Sequence, residues 1–269
     1  PFHRQVNAVD WRILTLKAYI AVMFMTVRTL LTSVVLCAAL ASPALSGGGK
    51  KVVVELYTSQ GCSSCPPADA FLAELAERDD VIALSFHVDY WNYIGWDDPF
   101  SSAEATARQR ACGQTMKKRY VYTPQIVVDG RAETVGSDRS TVDTLIRMAA
   151  AAQKIEIDVA HNKDGTADIR VPAGTSPSES RGELWIGFYD SAVKTEVRAG
   201  ENRGETIVNA NIVRTYKRIG FWTGGALTKH VDLKALGAKG RDGCVVILQA
   251  PNNGAIIGAA SFPLPGSAS

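Results

Sequence analysis

The chain has 269 residues, 46 % apolar and 21 % charged, with 29 Lys plus Arg against 27 Asp plus Glu for a formal charge of +2. This composition excludes a disordered or fibrous chain, and a near-balanced charge without any basic run speaks against nucleic acid as a partner.

Residues 23–46 hold Met23, Met25 and Arg28, an apolar run from Leu30 to Ala41, and then the small residues of Ala41-Ser42-Pro43-Ala44-Leu45-Ser46. That order predicts a secretory signal peptide cleaved after Ala41, Ala44 or Ser46. An uncleaved anchor is the competing reading, because the mostly apolar stretch from Ala18 is long, but Arg28 interrupts it. Residues 1–22 precede the first methionine and read as an upstream segment. Without residues 1–46 the chain carries 25 Lys plus Arg against 26 Asp plus Glu, a net charge of −1. The expected location is periplasmic or secreted, with no stable membrane association after cleavage. What remains is long enough for one large domain or for a small domain with a companion.

Lys51 to Tyr57 is an apolar run with strand composition, followed by Cys62-Ser63-Ser64-Cys65 and then by Ala68 to Arg78, where Phe71, Leu72, Leu75 and Ala76 recur at helical spacing. Thiols three positions apart at the start of a helix can close a small ring, and the free amides and dipole of the helix end favour a thiolate on the first. Cys62 is therefore the candidate attacker and Cys65 the candidate resolving sulfur. Pro66 and Pro67 suit only a first helical turn, so the regular helix is expected to begin near Pro66. Gly61, with no side chain, is expected to leave the first sulfur open to a bulky partner. Val81 to Val88 reads as a second strand, and the resulting parallel crossover sets the thiols at the carboxyl end of the first strand. His87 ends that strand, where it reads as a base beside the cysteines, a third metal ligand, or a structural histidine. Asp89 lies two positions on, at the spacing of an acid–base pair on one sheet face.

Asp89 to Phe100 concentrates Tyr90, Trp91, Tyr93, Trp96 and Phe100, and emerges at the same end of the sheet as Cys62. It reads either as a platform for an extended peptide or small thiol or as a cluster packing the next helix. Ser101-Ser102-Ala103-Glu104 matches a capping box, opening a helix to about Lys118. Tyr122-Thr123-Pro124 then introduces the strand Gln125 to Val128 and the turn pair Asp129-Gly130, and a proline at the first residue of a strand can be cis. Ser140 to Gln153 reads as a helix with Val142, Leu145, Ile146 and Ala149 on one face.

Beyond it the pattern changes to period two. Ile155 to Val159, Ala167 to Val171, Gly182 to Tyr189, Thr206 to Ile219, His230 to Leu233, Cys244 to Gln249 and Ala255 to Phe262 are strand candidates, reading as an antiparallel sheet or sandwich. Pro172 to Arg181 reads as a flexible loop, Arg198 to Gly204 as a solvated charged turn, and the tail after Pro263 as a frayed end. His161 and His230 read as surface residues. The division expected is residues 1–46 as upstream segment and signal peptide, 47–153 as an α/β domain, and 154–269 as a β-rich domain.

Cys62-Ser63-Ser64-Cys65 combined with Thr123-Pro124 resembles the thioredoxin superfamily. The resemblance implies a thioredoxin-like α/β domain, here with a helical insertion between the second strand and Pro124, in which Thr123 and Pro124 orient a partner backbone against Cys62. The run TPQIVVDG looks most like the glutaredoxin branch, which implies substrate contacts from Tyr122, Gly136 and Asp138; Trp91 joins this set from the aromatic loop. The longer phrase from Tyr57 to Asp69 also looks like an uncharacterised family of secreted bacterial thioredoxin-like proteins.

Of the five cysteines, Cys37 lies in the expected signal peptide. The other four allow three pairings if all are oxidised; Cys62 with Cys65 and Cys112 with Cys244 is the simplest, and a buried unbonded Cys112 and Cys244 is the alternative. The leading expectation is an exported thiol–disulfide oxidoreductase acting on protein disulfides or a small thiol such as glutathione, without cofactor or resident metal. A copper-binding protein using Cys62, Cys65 and His87 is the second reading, and a non-catalytic binding module the third.

Overall fold

The computed structural model describes residues 51–162, 164–174 and 181–264. The expected signal peptide and upstream segment lie outside the described residues, as do most of the Pro172 to Arg181 loop and most of the expected tail.

β1 (Val52–Thr58) is buried along its whole length because it sits inside a sheet covered on both faces. Val52, Val54 and Leu56 face one side, while Val53 and Tyr57 pack in the cluster on the other. α1 (Pro66–Ala76) starts where its prolines allow, with both in the first turn and Cys65 as N-cap. It lays Ala68, Phe71, Leu72 and Leu75 on the first face of β1, where burying each large side chain contributes about 1.5–3 kcal/mol. β2 (Val81–His87) pairs parallel with β1, from Val52 opposite Val81 to Thr58 opposite His87.

A one-turn 3₁₀ helix (Asn92–Ile94) and α2 (Ala103–Thr115) lead to β3 (Gln125–Val128), which pairs antiparallel with the other edge of β1. A helical insertion is not evident. β3 lies across β1 from β2, so the chain needs one crossing segment, and α2 is that segment. Its cap is Ser102, whose hydroxyl accepts from the Ala105 amide at 3.1 Å. β4 (Ala132–Val135) and α3 (Arg139–Ala150) follow, with Val142, Ile146 and Ala149 of α3 completing the core beside α1.

The remaining strands are β5 (Asp158–His161), β6 (Thr166–Val171), β7 (Gly182–Glu196), β8 (Thr206–Trp222), β9 (Leu227–Asp232), β10 (Gly243–Gln249) and β11 (Ile256–Pro263), with the single-turn α4 (Leu233–Leu236) after β9. Four of them extend the first sheet, which becomes eight-stranded and mostly antiparallel in the order β11-β10-β7-β8-β2-β1-β3-β4. β8 joins it beside β2 through the Ser85–Ile212 bridge, and Asn211 donates to the Ala83 carbonyl at 2.9 Å. The sheet is therefore continuous across the division expected at residues 153 and 154, and the described residues fall in one compact unit. Among the described residues, β5, β6 and β9 form a second, three-stranded sheet.

All four described cysteines are unbonded thiols. The pairing of Cys112 with Cys244 is corrected by the faces they occupy. Cys112 on α2 meets the Tyr57 hydroxyl at 3.7 Å, whereas Cys244 belongs to the cluster on the opposite side of β10 from Val245 and Ile247.

Candidate functional site

The chain leaves β1 at Thr58 and turns through Ser59, whose carbonyl accepts from the Cys62 amide at 3.1 Å and whose hydroxyl accepts from the Gly61 amide at 3.1 Å. The Cys62 carbonyl accepts from the Cys65 amide at 3.1 Å, and the Cys65 carbonyl accepts from the amides of Ala68 and Asp69, which carries the turn into α1. The strand end and the helix start thus hold both sulfurs at the carboxyl end of β1.

Three of the expected site residues join them. The Cys62 thiol points to the Thr123 carbonyl at 3.9 Å, the Thr123–Pro124 bond is cis, and the Trp91 indole donates to the Thr123 hydroxyl at 2.7 Å. Gly136 stands behind them, its amide donating to the Pro124 carbonyl at 2.9 Å. The two others are engaged elsewhere. The Tyr122 hydroxyl donates to Glu133, and Asp138 spends its carboxylate as the N-cap of α3, accepting from the Thr141 amide at 3.1 Å and hydroxyl at 2.7 Å. Of the aromatic loop, Trp91 belongs to the site, Trp96 donates to Gln60 at 3.3 Å, and Tyr93 is 83 % exposed. Gly61 does not open the sulfur to solvent: its empty side is filled by Ile94 and Trp91.

The two thiols differ sharply. Hydrogen bonding from Cys65 outweighs burial, and with Ser64, 3.3 Å away, and Thr123 it brings the Cys62 thiol down to about 6. Burial, then the neighbouring Cys62 sulfur and Asp69, push the Cys65 thiol far up. Cys62 is only 1 % exposed, between the exposed residues Ser63 and Ser64 and the Trp91–Thr123 pair.

Asp69 was not singled out by its pattern. It is 2 % exposed on the buried stripe of α1, four residues after Cys65, and no described residue hydrogen-bonds either carboxyl oxygen. Burial raises it to about 7, against the opposing pull of His87 and Thr58. The Thr58 hydroxyl makes no hydrogen bond of regular geometry with a described residue, yet it lies close enough to favour the charged forms of Cys65 and Asp69. A carboxylate interrupting the apolar stripe of a helix was the available signal. His87, opposite Thr58 in the sheet register, pairs through Nδ1 with Asp98 at 2.7 Å, both side chains being fully buried, and its Nε2 has no described partner. Asp89 is not its partner: the strand ends at His87, and Asp89 turns to accept from the Thr106 hydroxyl at 2.6 Å. Among the described residues no group of three His, Cys, Asp or Glu is placed to hold a metal ion.

Residues 53–249 match the family model described as "Protein of unknown function (DUF1223)". A crystal structure of a protein from Agrobacterium tumefaciens is 30 % identical, covering 78 % of this chain and 93 % of its own, with a TM-score of 0.68. HBP35 of Porphyromonas gingivalis is 14 % identical over 81 % of this chain and 76 % of its own, with a TM-score of 0.54, a likeness of fold alone. No curated protein matches the chain.

Proposed function

For a chain that belongs to the DUF1223 family, we propose the function of an exported thiol–disulfide oxidoreductase with a thioredoxin-like arrangement of β1, α1, β2, α2, β3, β4 and α3. The observation that carries it is the asymmetry of the two thiols beside the Thr123–Pro124 turn: Cys62 favours the thiolate near neutral pH while Cys65 holds its proton. The apolar run and small residues of 30–46 support export, and no helix among the described residues is long and apolar enough to cross a membrane.

The reaction uses a substrate disulfide as the oxidant. The Cys62 thiolate attacks one sulfur of the substrate, forming a mixed disulfide and expelling the other sulfur as a thiolate that takes a proton from solvent. Cys65 then passes its proton to the ionised Asp69 carboxylate, and its sulfur attacks the Cys62 sulfur. The Cys62–Cys65 bond forms, the second substrate thiolate leaves, and the substrate has gained the two electrons that the pair has lost. Asp69, near 7, is ionised in about half of the molecules at neutral pH, which suits a group that accepts and returns one proton. Thr123 offers its carbonyl to the incoming chain, and protein disulfides or the disulfide of a small thiol such as glutathione are the substrate class.

Equilibration of the reduced protein with glutathione buffers, read by alkylation of the remaining thiols, tests this. Exchange at a potential within the range of thiol oxidoreductases, together with a glutathione adduct trapped on Cys62 in Cys65→Ser, is the expected result; a pair that never exchanges overturns it.

A further inference from the structure

The β7–β8 hairpin continues beyond Tyr189, where pairing with β10 stops, and its tip, Val197 to Glu205, comes from the β-rich half yet ends on the thiol loop. Asn202 is only 6 % exposed although it stands in a charged turn. Its carboxamide donates to two carbonyls, Gln60 and Cys62, each at 2.9 Å. Beside it, a Glu201 carboxylate oxygen accepts from the Ser63 amide at 2.9 Å. Lower on the same hairpin, Asn209 accepts from the Gln60 carboxamide at 2.9 Å, with both residues at most 1 % exposed.

The packing shows the same fit. Gly200 has φ +75°, and a Cβ there would stand 3.1 Å from Trp96 and 3.4 Å from Ile94; a Cβ at Gly61 would stand 3.2 Å from the same Ile94. The aromatic turn is thus held between two side-chain-free positions, one on the thiol loop and one on the hairpin tip. The loop from Gln60 to Ser63 has three of its backbone groups and one side chain tied to the second half of the chain.

We infer that the hairpin tip is part of the thiol site, with Asn202 the positioning residue that fixes the Cys62 loop and Glu201 a negative charge that restrains ionisation of Cys62. The assignment rests on the oxidoreductase reading and gives the β-rich half its role in it. With the Asn202 amide gone, the Gln60 and Cys62 carbonyls lose a shared donor, and the turn that aligns Cys65 and Ser64 with the Cys62 sulfur loosens. Glu201 acts in the opposite sense: Gln at this position still accepts from the Ser63 amide but carries no charge, so the thiolate of the residue next to Ser63 is easier to form.

The test is the pH midpoint of Cys62 alkylation in the reduced full chain. Asn202→Ala is expected to raise it by about one pH unit. Glu201→Gln is expected to lower it by a few tenths, an effect that fades in high salt because Glu201 is exposed. Opposite shifts from adjacent residues are not what general loosening produces. If wild type exchanges with glutathione and both folded variants keep its midpoint, the role of the hairpin tip is overturned while the oxidoreductase reading stands. If Asn202→Ala does not fold, Glu201→Gln decides alone, and an unchanged or raised midpoint overturns the assignment. A wild type that does not exchange at all removes the reading beneath it.

Discussion

Two buried polar clusters lie on opposite faces of β1, and they treat charge differently. On the α2 face, Arg108 reaches Glu55 at 2.7 Å, Gln249 at 3.2 Å and Asn253 at 3.0 Å, and its guanidinium lies 4.4 Å from the centre of the Tyr216 ring. On the α1 face, Asp69 sits beside Thr58 and His87 with no hydrogen bond to either oxygen. The first cluster cancels its charge and ties α2 to β1 and β10. The second leaves a carboxyl group without an ion-pair partner among the described residues, beside the thiols. Buried charge alone is therefore no sign of chemistry; a buried carboxyl without an ion-pair partner beside two thiols is the better pointer.

The contrast is broken most strongly by Arg108→Ala. Removing the guanidinium strands Glu55 in the core and is expected to cost about 3–5 kcal/mol in urea unfolding, while the glutathione equilibrium of the folded variant stays that of wild type. A changed equilibrium would mean the two faces are one machine.

Asp69→Asn is expected to act the other way. The folded pKa of about 7 lies above the ordinary carboxyl value, so the native state keeps a proton that the unfolded chain releases, and stability falls as pH rises from about 4 through 7. Asn has nothing to titrate. The variant should therefore lose this decline, gaining on the order of 3 kcal/mol relative to wild type between pH 4 and pH 8, and the mixed disulfide should resolve roughly tenfold to a hundredfold more slowly. Parallel pH–stability curves for the two proteins would remove Asp69 from the site.

The same contrast separates what was legible in the sequence from what was not. Local pattern carried the first half: the run into Cys62, the prolines that open α1 and the proline before β3 act within a few residues and fell within a residue of their places, while the capping box read from Ser101 to Glu104 is replaced by a cap one residue on, at Ser102. The pairing of β8 with β2 joins residues more than a hundred positions apart and leaves no periodic trace, so the second half read as a sheet of its own. The site divided likewise. Cys62, Cys65, Thr123 and Trp91 announce themselves by motif or composition, but Asp98 finds His87 across a loop, and Asn202 finds the Cys62 carbonyl across 140 positions. Asp138 misled because a turn aspartate before a helix fits an N-cap as well as a ligand contact.

The most direct measurement is alkylation of the reduced protein across pH 4 to 10, with the modified residue located by mass spectrometry. Modification at Cys62 alone, with a midpoint of about 6 and Cys65 untouched, is the predicted result. Equal reaction at both cysteines, or a Cys62 midpoint at the value of about 8.5 typical of a free thiol, contradicts the assignment of Cys62 as the attacking sulfur.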